Sequence, residues 1–491
     1  MSDAYTSLVK KHREISLIDS TSATLEWDQE TKLPEKALAY RAEQIAYLSG
    51  KAHELSTSDA YAKLLTSAED SNDGSLTSLA NLREWRHHFE RSTRLSLDIV
   101  ERDSKASSHA KAAWVKAREQ SDFSIFAPHM EQLLDLAKEK AELWGYQDET
   151  YDALLENYER GAKTRDIVSI FDTFQPAIIS LASDAVAKSA SNITRKLEGS
   201  FPVEKQQELN RAVAESIGFD FTAGRIDTTT HPFCTTLGPS DVRLTTRYYD
   251  HDFTASLFGV MHEAGHGLYE QGLSGADFGL PSGTAVSLGI HESQSLLWEA
   301  HVGRSHAFWN HWMPKAQELF PQLSDWTVEE FLQTINQANY SPIRVDADEA
   351  TYDLHVLLRF DIERRLLRGE LSVKDIPAAW NESFEASFNM RPKSDSEGCL
   401  QDIHWAMGGL GYFPTYTMGN LNASQLFHTA TQDESILSSF NRADFKPLLE
   451  WMSKQIHSHG STLLPQDLMI NATGESTNPS YHLKHLSNRF L

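Results

Sequence analysis

The chain has 491 residues, 40% of them hydrophobic, so it can form a substantial core in one large domain or in two or three average ones. Acidic residues number 69 and basic residues 45, and the net charge of −24 argues against binding to nucleic acid or to an anionic membrane. Cys234 and Cys399 are too few for a disulfide framework, and we expect two buried apolar thiols. Residues 1–17 do not resemble a signal peptide, and no run of eighteen apolar residues occurs. The sequence therefore predicts a cytoplasmic globular protein.

Hydrophobic residues recur at helical period through most of the first half of the chain. Residues 164–187 and 202–218 show such stripes, and Gly145 is placed to end a third. The third stripe consists of Met130, Leu133, Leu134, Ala137 and Leu143. These patterns predict a mostly α-helical fold.

Residues 224–250 interrupt this helical pattern. They are rich in threonine and are broken by Gly238-Pro239, which predicts a small hairpin or meander. The sequence contains no internal repeat and no long Gly/Ser/Pro linker. We therefore expect a single domain over residues 1–491, which could consist of two helical lobes around a cleft, rather than a string of separate domains.

The segment "FGVMHEAGHGLYEQG" carries two histidines four residues apart. On a helix, His262 and His266 lie about 40° apart around the axis and about 6 Å apart along it, so both can reach one metal ion. Glu263 lies about 100° away, where its carboxylate can take a proton from a metal-bound water. The alternative is an ordinary helix that carries three polar residues by chance. Apolar neighbours and the absence of proline favour a buried helix and a metal site.

A zinc site also requires a third protein ligand. Glu270 lies about 12 Å along the helix from His262, which is too far for both to bind one ion. The next helical segment carries Glu292 and Glu299 seven residues apart on one face, and either could complete the site. Three protein ligands and an open fourth position are typical of catalytic zinc rather than structural zinc.

Six motifs occur in chain order, namely HPF (His231–Phe233), DVRLT (Asp241–Thr245), HEAGH (His262–His266), HESQ (His291–Gln294), IRVDAD (Ile343–Asp348) and GCLQDIHW (Gly398–Trp405). In these motifs, and over nearly its whole length, the chain resembles the thermostable carboxypeptidase, or carboxypeptidase Taq, family of zinc metallocarboxypeptidases. The resemblance implies a mostly helical zincin-like fold with a deep cleft and a small β-sheet near the active site. It also implies a homodimer.

The resemblance further implies that zinc is bound by His262, His266 and Glu292, which selects Glu292 over Glu299. Cobalt or manganese could substitute for zinc, because histidine and carboxylate ligands accept all three ions. The implied reaction is the release of single C-terminal residues from peptides with broad specificity. The chain departs from the family at Leu297 and Ala300, where a basic residue and an amide are usual.

Four residues are candidates for binding the substrate carboxylate or the developing oxyanion. Arg344 matches the family's arginine, and its planar guanidinium suits a terminal carboxylate. The alternative for Arg344 is an ion pair with a neighbouring acid, namely Asp346, Asp348, Glu349 or Asp353. His404, Tyr416 and Tyr412 could donate to the oxyanion, with Tyr416 ranked ahead of Tyr412; the alternative is a tyrosine hydroxyl that is satisfied in the core.

His231 and Arg243 are weaker candidates for substrate contacts. His231 is expected on an edge strand that could pair with a peptide, and the alternative is a turn histidine. Arg243 is expected to line the pocket, and an internal pair with Asp241 fits the spacing at least as well. Asp348 and Asp402 are candidate hydrogen-bond acceptors for the ligand histidines.

Two other functions fit parts of this pattern. One is a dipeptidyl or endo-acting zinc peptidase on the same scaffold, which would not require a free C-terminus. The other is a metal-free peptide-binding protein, which the intact set of His262, Glu263, His266 and Glu292 disfavours.

Overall fold

The structure, a computed structural model, describes residues 2–192 and 194–491, and α-helices dominate these residues. The first nine are α1 (Asp3–Thr31), α2 (Leu38–Thr57), α3 (Asp59–Asp70), α4 (Leu76–Arg94), α5 (Leu97–Gln120), α6 (Ala127–Trp144), α7 (Thr150–Leu155), α8 (Thr164–Ser191) and α9 (Val203–Ser216). After the sheet come α10 (Phe253–Gly272), α11 (Leu288–Leu296), α12 (His306–Leu319), α13 (Val328–Ile335), α14 (Tyr352–Leu367), α15 (Ile376–Phe388), α16 (Pro414–Ala430), α17 (Glu434–Asn441), α18 (Lys446–Gln455), α19 (Pro465–Thr473) and α20 (Ser480–Phe490). The prediction of a mostly helical protein is confirmed.

The stripe predicted before Gly145 forms α6. Met130, Leu133, Leu134 and Ala137 are buried, and the helix ends at Gly145, whose φ of 82° few other residues adopt at low cost. Leu143 departs from the prediction because it is 41% exposed. It lies in the last turn of the helix, on the exposed side.

The small sheet has three strands, β1 (Gly224–Thr228), β2 (Cys234–Gly238) and β3 (Asp241–Thr246), in the order β1-β3-β2. β2 and β3 form the predicted hairpin, with Thr235 opposite Arg243. β1 pairs with β3 in parallel, so the alternative of a meander is wrong. The chain leaves β1 and crosses to the far edge of the sheet before β2 begins. Short threonine-rich strands have the same side-chain pattern in either direction, and the sequence therefore could not distinguish the two topologies.

Two large hydrophobic clusters form most of the core, and a third, smaller cluster joins α1, α3 and α4. The helix α16 contributes Met418 and Leu421 to the first cluster and Ala423 and Leu426 to the second. It also packs along α11, which in turn packs on α10. The predicted metal ligands therefore lie on helices of the second cluster, next to the helix that contributes to both clusters. Among the described residues, no helix is long and apolar enough to cross a membrane.

Candidate metal centre and substrate cleft

The helices α10 and α11 cross at very close range. A Cβ atom on Gly265 would lie 2.6 Å from the carbonyl oxygen of Gln294, so a glycine is required at this crossing. His266 contacts His291, whereas His262 contacts Glu299, so the two helices run antiparallel. This close antiparallel packing brings the carboxylates of the second helix beside the histidines of the first.

Three side chains present ligand atoms to one point. Glu292 Oε2 lies 3.9 Å from His262 Nε2 and 3.6 Å from His266 Nε2, and the three ligand atoms lie within 4.8 Å of one another. These separations suit one ion about 2 Å from each atom. Spacing alone left Glu292 and Glu299 as alternatives, and the geometry brings Glu292 to both Nε2 atoms.

The other nitrogen of each imidazole has its own partner. His262 Nδ1 lies 3.0 Å from Glu299 Oε2, and His266 Nδ1 lies 3.1 Å from the carbonyl oxygen of His291. The rings are therefore oriented by contacts on one side, and their Nε2 atoms face Glu292. Glu299 lies in a π-helical turn, Leu297–Val302, which directly follows α11. Such turns are frequent at functional sites because they re-aim a side chain within a helix.

Asp348 and Asp402 do not accept from these histidines, contrary to the prediction. Asp348 accepts from the backbone of Asn339 and Ala350, and Asp402 pairs with two arginines. The actual partners are Glu299 and His291. Glu299 and His291 are the partners of the two histidines because of the way α10 and α11 cross. The order of the motifs along the chain does not determine that crossing.

The electrostatic field at the three-residue cluster favours positive charge. Burial lowers the pKa of His262, but the Glu292 and Glu299 carboxylates outweigh it and raise that pKa to about 10. Two free Nε2 atoms, a facing carboxylate and this field fit a divalent cation. A transition metal with nitrogen and oxygen ligands is the chemical class that the donor set suits.

Glu263 is buried next to this cluster, with 6% of its surface exposed. Burial, and to a lesser degree the Glu292 carboxylate, raise its pKa to about 7, against the opposing effect of His262. Among the described residues, none donates a hydrogen bond to its carboxylate. Glu263 is therefore poised to accept and release a proton near neutral pH.

Arg344 is 7% exposed and forms an ion pair, but with Asp402 rather than with any of its four acidic neighbours in sequence. Its Nε and Nη2 donate to Asp402 Oδ1 at 3.1 and 2.9 Å, and its Nη1 donates to the Tyr352 hydroxyl at 2.7 Å. Arg359 also pairs with Asp402, at 2.5 Å. Two guanidinium groups thus share one carboxylate, and the three side chains of Arg344, Arg359 and Asp402 together carry a net charge of +1.

His404, Tyr412 and Tyr416 lie together beside Arg344. His404 Nε2 is 3.2 Å from the Tyr416 hydroxyl, and Arg344 lies 5.0 Å from the centre of the Tyr416 ring. Burial lowers the pKa of His404 to about 4, so the ring is neutral at pH 7. Burial and then the Glu292 carboxylate raise the pKa of Tyr412. The Tyr412 hydroxyl therefore lies within electrostatic range of a candidate metal ligand.

His231 and Arg243 lie at the sheet. His231 is exposed and belongs to the loop before β2, not to a strand as predicted, because the strand begins at Cys234. Arg243 donates to both carboxylate oxygens of Asp241 and stacks on Trp27, 4.3 Å from the ring centre. The alternative of an internal Asp–Arg pair is therefore present, and the substrate contacts of both residues stay predictions.

A groove of about 640 Å³ lies between the N-terminal helices and the segment that leads into α11. Its walls include His12, Asp19 and Trp85 on one side and Leu280, Val286 and His291 on the other. His291 also contacts the candidate ligand His266, so the groove borders the candidate centre.

The departures at Leu297 and Ala300 are accommodated by packing. Leu297 is fully buried in the second hydrophobic cluster, and the carbonyl oxygen of Ala300 accepts from Arg489 at 2.9 Å. Neither side chain reaches the three-residue cluster. Sequence reasoning also missed Arg359, Tyr352 and Gly419, because nothing in their local sequence distinguishes them from ordinary helical residues.

Glu159 supports α11 from its N-terminus. It is buried, and it accepts from the Ser287 hydroxyl at 3.1 Å and from the backbone N–H of Gly289 at 3.0 Å. Burial raises its pKa to about 7. Proton binding by Glu159 therefore contributes stability that is complete below pH 4.5 and is lost as the pH rises through 7.

The substitution Glu159→Gln should remove this pH dependence. An uncharged amide keeps an acceptor for the helix end, so we expect the variant to gain up to about 3 kcal/mol of stability relative to the wild type between about pH 5 and pH 8. Thermal unfolding midpoints of both metal-free proteins at several pH values measure this difference. Parallel curves for the two proteins would show that Glu159 does not titrate in this range.

Comparisons with known proteins identify the family of the chain. The profile of the carboxypeptidase Taq (M32) metallopeptidase family matches residues 7–490. The chain is 39% identical to thermostable carboxypeptidase 1 of Thermus thermophilus, over 99% of this chain and 98% of that protein. It is 37% identical to carboxypeptidase 1 of Bacillus subtilis, over 97% and 96%.

Solved structures show the same relationship. The M32 carboxypeptidase of Deinococcus radiodurans superposes with a TM-score of 0.96 at 36% identity, covering 100% of this chain and 99% of the other. The carboxypeptidase of Pyrococcus furiosus gives a TM-score of 0.97 at 33% identity, with coverage of 100% and 99%. With matching sequence, fold and a metal-compatible cluster, the chain belongs to the carboxypeptidase Taq (M32) family and is a metallocarboxypeptidase.

Proposed function

We propose that the protein is a zinc-dependent carboxypeptidase that releases single residues from the free C-termini of peptides with broad specificity. The observation that carries this proposal is the three-residue cluster, which lies within electrostatic range of both the buried Glu263 and the cationic Arg344. His262, His266 and Glu292 would hold the metal. Cobalt and manganese suit the same donor set and are the alternatives to zinc.

A cation at this cluster would supply Lewis acidity, which polarises a carbonyl group and lowers the pKa of water at the site. Glu263 would take the proton of the attacking water and pass it to the departing amine. Its pKa of about 7 supports both halves of that exchange. Proton transfer by a positioned group of this kind contributes about 10²- to 10⁴-fold to a rate.

The negative charge that develops on the substrate oxygen needs donors other than the metal. The hydroxyl groups of Tyr416 and Tyr412 and the neutral ring of His404 are the available donors of this part of the cleft. His404 Nδ1 is buried and has no hydrogen-bond partner among the described residues, and His404 Nε2 holds the Tyr416 hydroxyl. We propose Tyr416 as the first donor and His404 as the group that orients it.

Arg344 would bind the terminal carboxylate of the substrate. A guanidinium has five N–H groups, and three of those on Arg344 are used by Asp402 and Tyr352, which leaves two for a ligand. Arg359 shares Asp402, so the positive charge of Arg344 is not fully neutralised. Burial strengthens the attraction between that charge and a carboxylate.

The walls of the groove combine polar and apolar side chains, which supports broad specificity and substrates that are short or unfolded. We also propose that the protein acts as a homodimer in the cytoplasm. Light scattering of the purified protein tests the dimer.

The decisive experiment compares one defined peptide with a free C-terminus and the same peptide with an amidated C-terminus. We expect the zinc-loaded protein to give a mass ladder that loses one residue at a time from the free end, with no ladder from the amidated peptide. A chelator should abolish the reaction. Release of dipeptides or cleavage of the amidated peptide would support the dipeptidyl or endo-acting alternative, and absence of bound metal would support a non-catalytic binding protein.

The substitution Gly419→Ala should weaken metal binding. A Cβ atom at position 419 would lie 2.6 Å from Cγ and 2.7 Å from Cβ of Glu292, so the added methyl group displaces the third ligand. We expect about a tenfold or greater loss of zinc affinity, because ligand placement within about 0.5 Å matters at such sites. Chelator competition measures the affinity, and Gly50→Ala, where a Cβ would contact nothing, is the control. Equal affinities for the two variants would exclude this role of Gly419.

A further inference from the structure

Beyond the three proposed ligands, a chain of polar contacts connects the metal cluster to strand β2. We propose that Glu270, acting through His291, positions the metal ligand His266. This inference rests on the proposed metal at His262, His266 and Glu292. It assigns a role to Glu270, which lies too far along α10 to be a ligand itself.

The contacts form an unbroken series. His266 Nδ1 lies 2.5 Å from His291 Nδ1, and His291 Nε2 lies 2.9 Å from Glu270 Oε1. The other carboxylate oxygen, Glu270 Oε2, accepts from the Thr236 hydroxyl at 2.7 Å. The side chains of His266, His291 and Glu270 are 15%, 19% and 18% exposed, so solvent competes little with these contacts.

Only one arrangement of protons satisfies every member of the series. A metal bound by His266 Nε2 requires a lone pair there, so the proton of that neutral ring is on Nδ1. At 2.5 Å, His291 Nδ1 cannot also carry a proton, and it therefore accepts from His266. The His291 proton is then on Nε2, where it points at Glu270 Oε1. The Glu270 carboxylate thus favours the His291 tautomer whose Nδ1 accepts from His266, beside the His291 carbonyl oxygen that lies 3.1 Å from the same His266 nitrogen.

The two ligand histidines are consequently supported in different ways. His262 contacts Glu299 directly, whereas His266 reaches its carboxylate through a second imidazole. Thr236 holds Glu270 from β2, the edge strand that borders the same groove. A carboxylate that orients a ligand histidine is worth about 10- to 100-fold in metal affinity. Because Glu270 supplies the carboxylate of this series, its removal should affect His266 and leave the support of His262 intact.

The test uses the full-length protein and measures zinc affinity by chelator competition. Glu270→Met removes the acceptor, and we expect about a 10- to 100-fold weaker affinity. Glu270→Gln keeps a neutral acceptor, so we expect a smaller loss. The matched control is Glu159→Gln, which neutralises another buried carboxylate in contact with α11 but outside the series. We expect its affinity to equal that of the wild type.

A second readout follows His266 itself. The visible absorption of the cobalt-loaded protein depends on ligand geometry, and we expect it to change in Glu270→Met and to stay unchanged in Glu159→Gln. Wild-type affinity and spectrum in Glu270→Met, or an equal loss in Glu159→Gln, would overturn the role of Glu270. If Glu270→Met does not fold, as judged by thermal unfolding of the metal-free protein, Glu270→Gln with wild-type affinity and spectrum overturns it. Failure of the wild type to bind metal would instead overturn the proposed function, and this inference with it.

Discussion

Glu263→Gln is expected to lower kcat by about 10²- to 10⁴-fold on a peptide with a free C-terminus, while zinc affinity stays close to that of the wild type. The amide has nearly the same shape as the carboxylate but cannot accept a proton. Glu263 lies beside the three-residue cluster and is not one of its members, so the substitution leaves the ligands in place. Steady-state kinetics and a metal titration on the same preparation separate the two effects.

The pH profile gives an independent check on Glu263. Burial raises the pKa of this group to about 7. The ionised carboxylate is the proton acceptor, so activity should rise with pH as Glu263 ionises. A bound cation stabilises the carboxylate, which places the ascending limb at or below about pH 7. Glu263→Gln should lack that limb, and a variant that retained both the limb and wild-type kcat would rule out Glu263 as the base.

Arg344→Met should lower kcat/KM for peptides with a free C-terminus by about 10²- to 10³-fold, since truncating one partner of a buried charge pair costs about 2–5 kcal/mol. Asp402 keeps its contact with Arg359, so the fold should tolerate the change. Hydrolysis rates are compared for the same peptide with a free and an amidated C-terminus. The wild type should hydrolyse the free peptide much faster than the amidated one, and the variant should hydrolyse both at similar low rates.

The control for Arg344 is Arg225→Met. Arg225 also donates to both oxygens of one carboxylate, that of Asp227, but it lies on β1 and is half exposed. We expect less than about a twofold change in kcat/KM, because Arg225 is not part of the proposed site and Asp227 keeps a second ion pair with Lys32. Equal effects of the two substitutions would indicate general destabilisation and would exclude carboxylate binding by Arg344.

Helix-period patterns predicted the mostly helical architecture, and the family resemblance implied which residues form the site. Residues four apart on one helix have a relative position that the sequence dictates, which is why spacing alone sufficed to pair His262 with His266. Glu292 and Glu299 share a helical face, so their distinct positions depend on how α10 and α11 cross. That crossing is set by Gly265, whose contact Gln294 is remote from it in sequence.

The errors have the same origin. The direction of β1, the Asp402 partner of Arg344 and the position of His231 all depend on how separate segments meet, and local spacing carries no information about that. Glu270 is the clearest case. Distance along one helix excluded it as a metal ligand, but the connection through His291, which spans the gap between Glu270 and His266, arises only from the packing of α11 on α10.

The helix α16 belongs to both main hydrophobic clusters, and its Gly419 presses against the third ligand. A shift of α16 relative to α10 would therefore displace Glu292. The two histidines would keep their relative position, because both lie on α10. Mild heat or low denaturant should consequently release metal before helix content declines. The fraction of metal that stays bound would therefore detect changes in core packing that do not alter the circular dichroism signal of the helices.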